Sequence, residues 1–155
     1  TKRISCPVWA TRATAYLVPL TMTDLGPQLK EQLIQAAQQA ALNAYVPYSK
    51  FPVGAALLLK NGQIVLGCNV ENISYPAGIC AERTAVVKAV SNGHKDFVAI
   101  AVTGQTEEVI TPCGICRQTL AEFGPDLLVI CCNKNGDSKE FKLPDLLPEA
   151  FASLR

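Results

Sequence analysis

The sequence predicts a single α/β domain, a three-layer α/β/α sandwich around a mixed five-stranded sheet. Apolar runs of strand length alternate with segments of helical period after an opening hairpin, a pattern that calls for helices on both faces of a sheet. Turn signals such as Asn61-Gly62 and Asn135-Gly136 separate the runs. The chain has 155 residues, and 49% are hydrophobic, which suits one domain with a real core.

The elements follow in order. Thr23 or Asp24 is positioned to cap a first helix, in which Leu25, Leu29, Leu33, Ala36, Ala40 and Ala41 recur at helical spacing towards Tyr45, with Pro47 as its stop. Phe51 to Leu59 and Ile64 to Cys68 form a hairpin around Asn61-Gly62. A second helix spans about Ala81 to Asn92 and stops at Gly93. Phe97 to Thr103 is a strand. A third helix starts after Pro112 and ends near Gly124. Leu127 to Cys132 and Ser138 to Lys142 complete the sheet, and a final helix follows Pro144.

Residues 1–22 differ from the remainder. Lys2, Arg3 and Arg12 are unopposed by any acid before Asp24, and hydroxyl residues are frequent. Such a start has the composition of a transit peptide, although a flexible extension is the preferred reading, with one domain over residues 23–155.

Composition excludes several classes. Net charge is +1 and the basic residues are scattered, so no clustered face is offered to nucleic acid. No apolar run has the length of a bilayer span, so no membrane partner is expected. Seven irregularly spaced cysteines argue against a disulfide scaffold and for a reducing, cytoplasmic setting with thiols reserved for metal.

Cys80-Ala81-Glu82 and Pro112-Cys113-Gly114-Ile115-Cys116 carry the chemistry. Three thiols are one ligand short of a closed structural zinc site, and catalytic zinc keeps that fourth position open. Glu82 is a proton carrier close to the first ligand. All three cysteines fall at helix starts, where the helix field stabilises thiolates. Cys113 and Cys116 share a helical face, whereas Cys80 must precede its first turn for its side chain to converge with Glu82. A lone C-x-x-C is also compatible with a structural half-site or with two small buried side chains. Cys68, Cys131 and Cys132 lie in strand-like runs and read as packing. His94, the single histidine, follows a helix exit.

From about Asn43 onward the chain resembles the small homotetrameric cytidine deaminases of nucleoside salvage. The resemblance is carried by the stretches Ala44–Ala56 (AYVPYSKFPVGAA), Gly67–Asn72 (GCNVEN), Cys80–Ala85 (CAERTA) and Pro112–Gln118 (PCGICRQ), in family order. It implies zinc held by Cys80, Cys113 and Cys116. It also implies Glu82 as the proton carrier in hydrolysis of cytidine or deoxycytidine to the uridine product and ammonia. Arg83 would donate to the ligand sulfurs, with an ordinary surface arginine as the alternative. Asn69 and Glu71 would bind ribose hydroxyls, or else form a turn. Phe51 would lie against the pyrimidine, or else in the core, and Ala81 would offer backbone groups to the base. Tyr75 would line the pocket or pack inside. Phe151 would reach into a neighbouring subunit's site, or else belong to an amphipathic terminal helix. The partners expected are a small pyrimidine nucleoside and other copies of the chain in a homotetramer. Rival readings are a deaminase of deoxycytidylate, of an antibiotic or of nucleic-acid bases, and a non-enzymatic zinc module with a closed four-sulfur site recruiting Cys68 or Cys131.

Overall fold

The computed structural model describes residues 20, 21, 23 and 25–151. The five strands are β1 (Val53–Leu59), β2 (Ile64–Cys68), β3 (Phe97–Gly104), β4 (Leu128–Cys132) and β5 (Ser138–Lys142). They form one sheet in the order β2-β1-β3-β4-β5, in which only the β3–β4 pair is parallel. The helices are α1 (Pro27–Ala41), α2 (Ala81–Ser91), α3 (Gly114–Phe123) and the short α4 (Leu143–Leu146). The expected mixed five-stranded sandwich is borne out.

The layers follow from alternation along the strands. Ala55, Leu57 and Leu59 of β1 point into a core shared with α2 and α3, while Ala56 and Leu58 point into a second core under α1. Every residue of the central strand β3 is buried, as a strand covered on both faces requires. The edge strand β5 reads Ser-Lys-Glu-Phe-Lys and is largely exposed, its charges discouraging further strand pairing.

Two glycines let helices approach the sheet closely. A Cβ on Gly54 would lie 2.0 Å from the Ala37 carbonyl oxygen of α1, and one on Gly67 would lie 2.2 Å from the Ala81 carbonyl oxygen of α2. Alanines at 37, 41, 81 and 85 on the facing helices match those bare strand positions. The first turn of α2 is thereby fixed against the carboxyl end of β2.

Several boundaries differ from expectation. The first helix is preceded by Gly26, with Pro27 opening it, rather than by Thr23; Asp24 lies outside the described residues. It stops at Ala41 because the Tyr45 backbone is needed elsewhere. Its N–H donates to the Asn69 carbonyl at 3.0 Å, and its carbonyl accepts from Glu71 N–H at 2.8 Å. Phe51 and Pro52 precede the strand, since proline donates no ladder hydrogen bond. The last helix is four residues long and ends at Leu146; Leu147, before Pro148, leaves the helical region (φ −140°, ψ 70°), which a following proline disfavours. Residues 1–19 lie outside the description. Leu20, within the expected extension, is buried among α1-side residues and donates its N–H to the Lys60 carbonyl at 2.8 Å.

Candidate active site and metal centre

β2, β3 and β4 run in one direction, since β1 is antiparallel to both β2 and β3. Their carboxyl ends therefore share one edge of the domain, and α2 and α3 begin there. In open α/β sheets this is the edge where ligands bind. A cavity of about 430 Å³ lined by Lys60, Asp96 and Phe123 opens instead near the amino end of β3, away from these residues.

Cys80 and Cys113 are the residues immediately before α2 and α3, each with extended backbone, and Cys116 lies one turn into α3. The Cys80 and Cys113 sulfurs are 4.0 Å apart, and all three sulfurs lie within 4.8 Å of one another. Tetrahedral zinc with bonds near 2.3 Å sets its sulfur ligands about 3.8 Å apart, so this donor set fits zinc. Among the described residues no fourth histidine, cysteine or carboxylate joins the group. Cys131 and Cys132 are fully buried in β4, and the Cys68 thiol donates to the Asn43 carbonyl at 3.4 Å. The four-sulfur arrangement with Cys68 or Cys131 is therefore not seen among these residues.

Cys80 is held from both sides. Val70 and Ile79 exchange two backbone hydrogen bonds of 3.0 Å, closing the base of the loop directly before it. The Cys80 carbonyl then accepts from Thr84 N–H at 3.0 Å and from the Thr84 hydroxyl at 3.1 Å. The Cys80 thiol is drawn down to about 5, first by a hydrogen bond from the Cys116 thiol and then by Arg83, against the cost of burial. Cys116 moves upward for the complementary reason: its proton is the shared one, and it is buried. One arginine thus faces the sulfur cluster.

Arg83 donates through Nη2 to the Gly78 carbonyl at 3.3 Å and towards the Cys80 sulfur at 3.9 Å. Its Nε is buried and makes no hydrogen bond among the described residues, leaving a donor beside the sulfurs. It is not an ordinary surface arginine. Glu82 is only 4% exposed. Burial raises its pKa, the Cys80 charge adds to that, and contact with Cys116 and the Arg83 charge oppose it. The net direction is upward, set chiefly by burial. Ala81, between Cys80 and Glu82, is fully buried.

The remaining expected site residues lie on the surrounding loops. Phe51 is 38% exposed, neither core nor free, and its ring rests near Gly104. The Asn69 amide donates to the Phe51 carbonyl at 2.9 Å and accepts from Val53 N–H at 2.8 Å, so its side chain braces the entry to β1. Glu71 Oε2 accepts from the Tyr48 and Ser49 amides at 3.0 and 3.2 Å. Its pKa is lowered first by the Ser49 side chain, with the two amides adding to that against the cost of desolvation. Tyr75 is 76% exposed, not core, and meets Tyr48 edge-on at 6.2 Å between ring centres. Phe151 is 66% exposed, outside any helix, and its carbonyl accepts from Gln118 Nε2 at 2.8 Å. Sequence reasoning passed over Tyr48, Ser49, Arg117 and Gln118, although all four stand inside the quoted stretches.

Three sulfurs gathered at two helix starts, with a buried carboxyl alongside, define a class: metal-dependent hydrolases that keep one coordination position for a small molecule. Comparison supplies the particular family. Residues 27–132 match the model described as the cytidine and deoxycytidylate deaminase zinc-binding region. A cytidine deaminase of Halalkalibacterium halodurans is 50% identical over 125 residues, covering 80% of this chain and 95% of that protein. One from Sporosarcina psychrophila is 51% identical over 123 residues, covering 79% of this chain and 90% of that protein. The crystal structure of a cytidine deaminase from Burkholderia pseudomallei superposes with a TM-score of 0.75 at 50% identity, covering 77% of this chain and 97% of that one. The chain belongs to the cytidine and deoxycytidylate deaminase zinc-binding family.

Proposed function

We propose that this protein hydrolyses cytidine and deoxycytidine to uridine and deoxyuridine, releasing ammonia, in pyrimidine salvage. The observation that carries the reading is Glu82, a carboxyl buried beside three convergent cysteine sulfurs. Cys80, Cys113 and Cys116 would hold the zinc. When bound, zinc supplies the Lewis acidity that makes water a competent nucleophile near neutral pH. Glu82 accepts one proton from the attacking water and passes it to ring N3, then takes the second from the new C4 hydroxyl and passes it to the departing amine. Water and nucleoside go in, and the uracil nucleoside and ammonia leave. Arg83 offsets the thiolate charge.

Phe51 offers a partly exposed ring for the base to pack against, and Ala81 backbone groups meet its polar edge. Asn69 fixes that ring's strand entry and, with Glu71, borders the sugar. Glu71 spends one oxygen on two amides, and a carboxylate has acceptor capacity beyond that for a ribose hydroxyl. Tyr75 and Phe151 are large apolar surfaces left in water by a single copy. Their exposure supports a homotetramer in which Phe151 enters a neighbour's site. No described helix is long and apolar enough to cross a membrane, and the free cysteines support a cytoplasmic setting. Residues 1–22 are proposed as an extension to the domain at 23–155.

Incubating the purified protein with cytidine and following loss of absorbance at the cytosine band tests the activity. Conversion to uridine is expected. Turnover of deoxycytidylate or of a cytosine antibiotic with none of cytidine would reassign the substrate. X-ray absorption of the bound metal should give three sulfurs and one light atom; four sulfurs would rule out hydrolysis there. Sedimentation of a fully active monomer would remove the tetramer.

A further inference from the structure

We propose that Arg117 is the positioning residue for the second arm of the metal centre, locking the Cys113 loop and the carboxyl-terminal turn to one helix. This rests on Cys113 and Cys116 holding zinc. The Arg117 guanidinium makes three short bonds, none to its own helix. Nε donates to the Pro112 carbonyl at 2.7 Å, Nη2 to the Thr111 hydroxyl at 2.9 Å, and Nη1 to the Leu146 carbonyl at 2.8 Å. Thr111 and Pro112 are the two residues before Cys113, while Leu146 ends α4. One planar fork thus fixes a ligand loop and a segment 29 residues further along.

Apolar packing anchors the loop as far as Pro112, which is buried, with Val109 and Ile110 against the core; the bonds from Arg117 hold its last step to Cys113. Cys113 is exposed, and the space where a Gly114 Cβ would stand is open. The next residue, Gln118, donates to the Phe151 carbonyl, so consecutive side chains of α3 hold both ends of the 146–151 segment. Any shift of that segment must therefore be transmitted to the Cys113 sulfur through one rigid group. Lysine would not substitute, because an ammonium is a point donor and not a fork.

The test is zinc competition against a chromophoric chelator, together with the visible spectrum of the cobalt-substituted protein. Arg117→Lys should lose ~10–100-fold in zinc affinity, the range for residues that orient metal ligands. Its cobalt–thiolate bands should shift, which a change in stability alone would not cause. Thr111→Val should move affinity in the same direction by less. Lys139→Gln, a substitution on exposed β5 away from the site, should do neither. A folded Arg117→Lys protein with zinc affinity within twofold of the parent and an unchanged cobalt spectrum overturns the proposal. Should that variant not fold, amide exchange in the parent decides. Zinc must then slow exchange at Thr111 and Cys113 and also at Leu146, Leu147 and Phe151; slowing confined to residues 80–84 and 113–116 overturns it. A parent that binds no zinc refutes the metal centre itself, which is a separate result.

Discussion

Cys80 and Cys113 do the same job with nearly the same backbone, yet the molecule secures them differently. Each is the residue before a helix, at φ −75°, ψ 157° and φ −67°, ψ 166° respectively. The α2 start is wedged: Gly67 leaves no room between β2 and Ala81, and the loop before Cys80 is pinned by the Val70–Ile79 pair. At the α3 start the space beside Gly114 is open, and the loop before Cys113 is tied to the helix by hydrogen bonds from Arg117. Two residues beyond each cysteine the contrast is chemical. Glu82 is buried, whereas Ile115, at the matching offset, is 64% exposed. A proton carrier needs a fixed, dry position, and only the wedged arm provides one.

The largest effect expected is on that arm. Glu82→Gln should keep its zinc and lose at least ~10²-fold in turnover, the lower end of what a positioned proton carrier contributes. Near-normal turnover would remove Glu82 from the reaction and erase the functional side of the contrast.

A matched glycine pair tests the mechanical side. Gly67→Ala forces a methyl to 2.2 Å from a backbone oxygen, so it should destabilise by about 1–3 kcal/mol and displace the α2 start. Gly114→Ala meets nothing within 4 Å and gains helix propensity of up to about 1 kcal/mol, so its melting temperature should hold or rise. Equal losses in thermal melts would show that the two arms are supported alike.

Arg83 tests how charge is offset at Cys80. Arg83→Gln should weaken zinc retention by ~10-fold, measured by chelator competition. Unchanged retention and activity would assign the offset to the helix fields alone.

The smallest expected effect concerns Glu71. Its folded pKa lies below the ordinary value of 4.5, so the stability it contributes is complete above 4.5 and lost as pH falls through the lowered folded value. The Tyr48 and Ser49 amide resonances should titrate with a midpoint under 4.5, and that titration should vanish in Glu71→Gln.

What the sequence disclosed divides along a physical line. Strands β2 and β5 were delimited to the residue, because turn residues bound them and their patterns are local. The three cysteines and Glu82 were legible for a related reason: two short motifs at helix starts state their own geometry. Contacts between distant segments were not legible. The Arg117 bond to Leu146 crosses 29 residues, and the use of Tyr45 by the Asn69–Glu71 strand exit ends α1 early without any local stop signal. Asn69 illustrates the same limit. Its hydrogen bonds brace Phe51 and Val53, a role that no spacing rule encodes.

The pair of backbone bonds between Val70 and Ile79 has a consequence for how this architecture diversifies. They use no side chain, so they survive whatever residues stand between them. The excursion from Glu71 to Gly78 is thereby closed at its base by main chain alone, while its tip carries Ile73 and Tyr75 into solvent. Engineers seeking new specificity have there a tip to vary above a stapled hem.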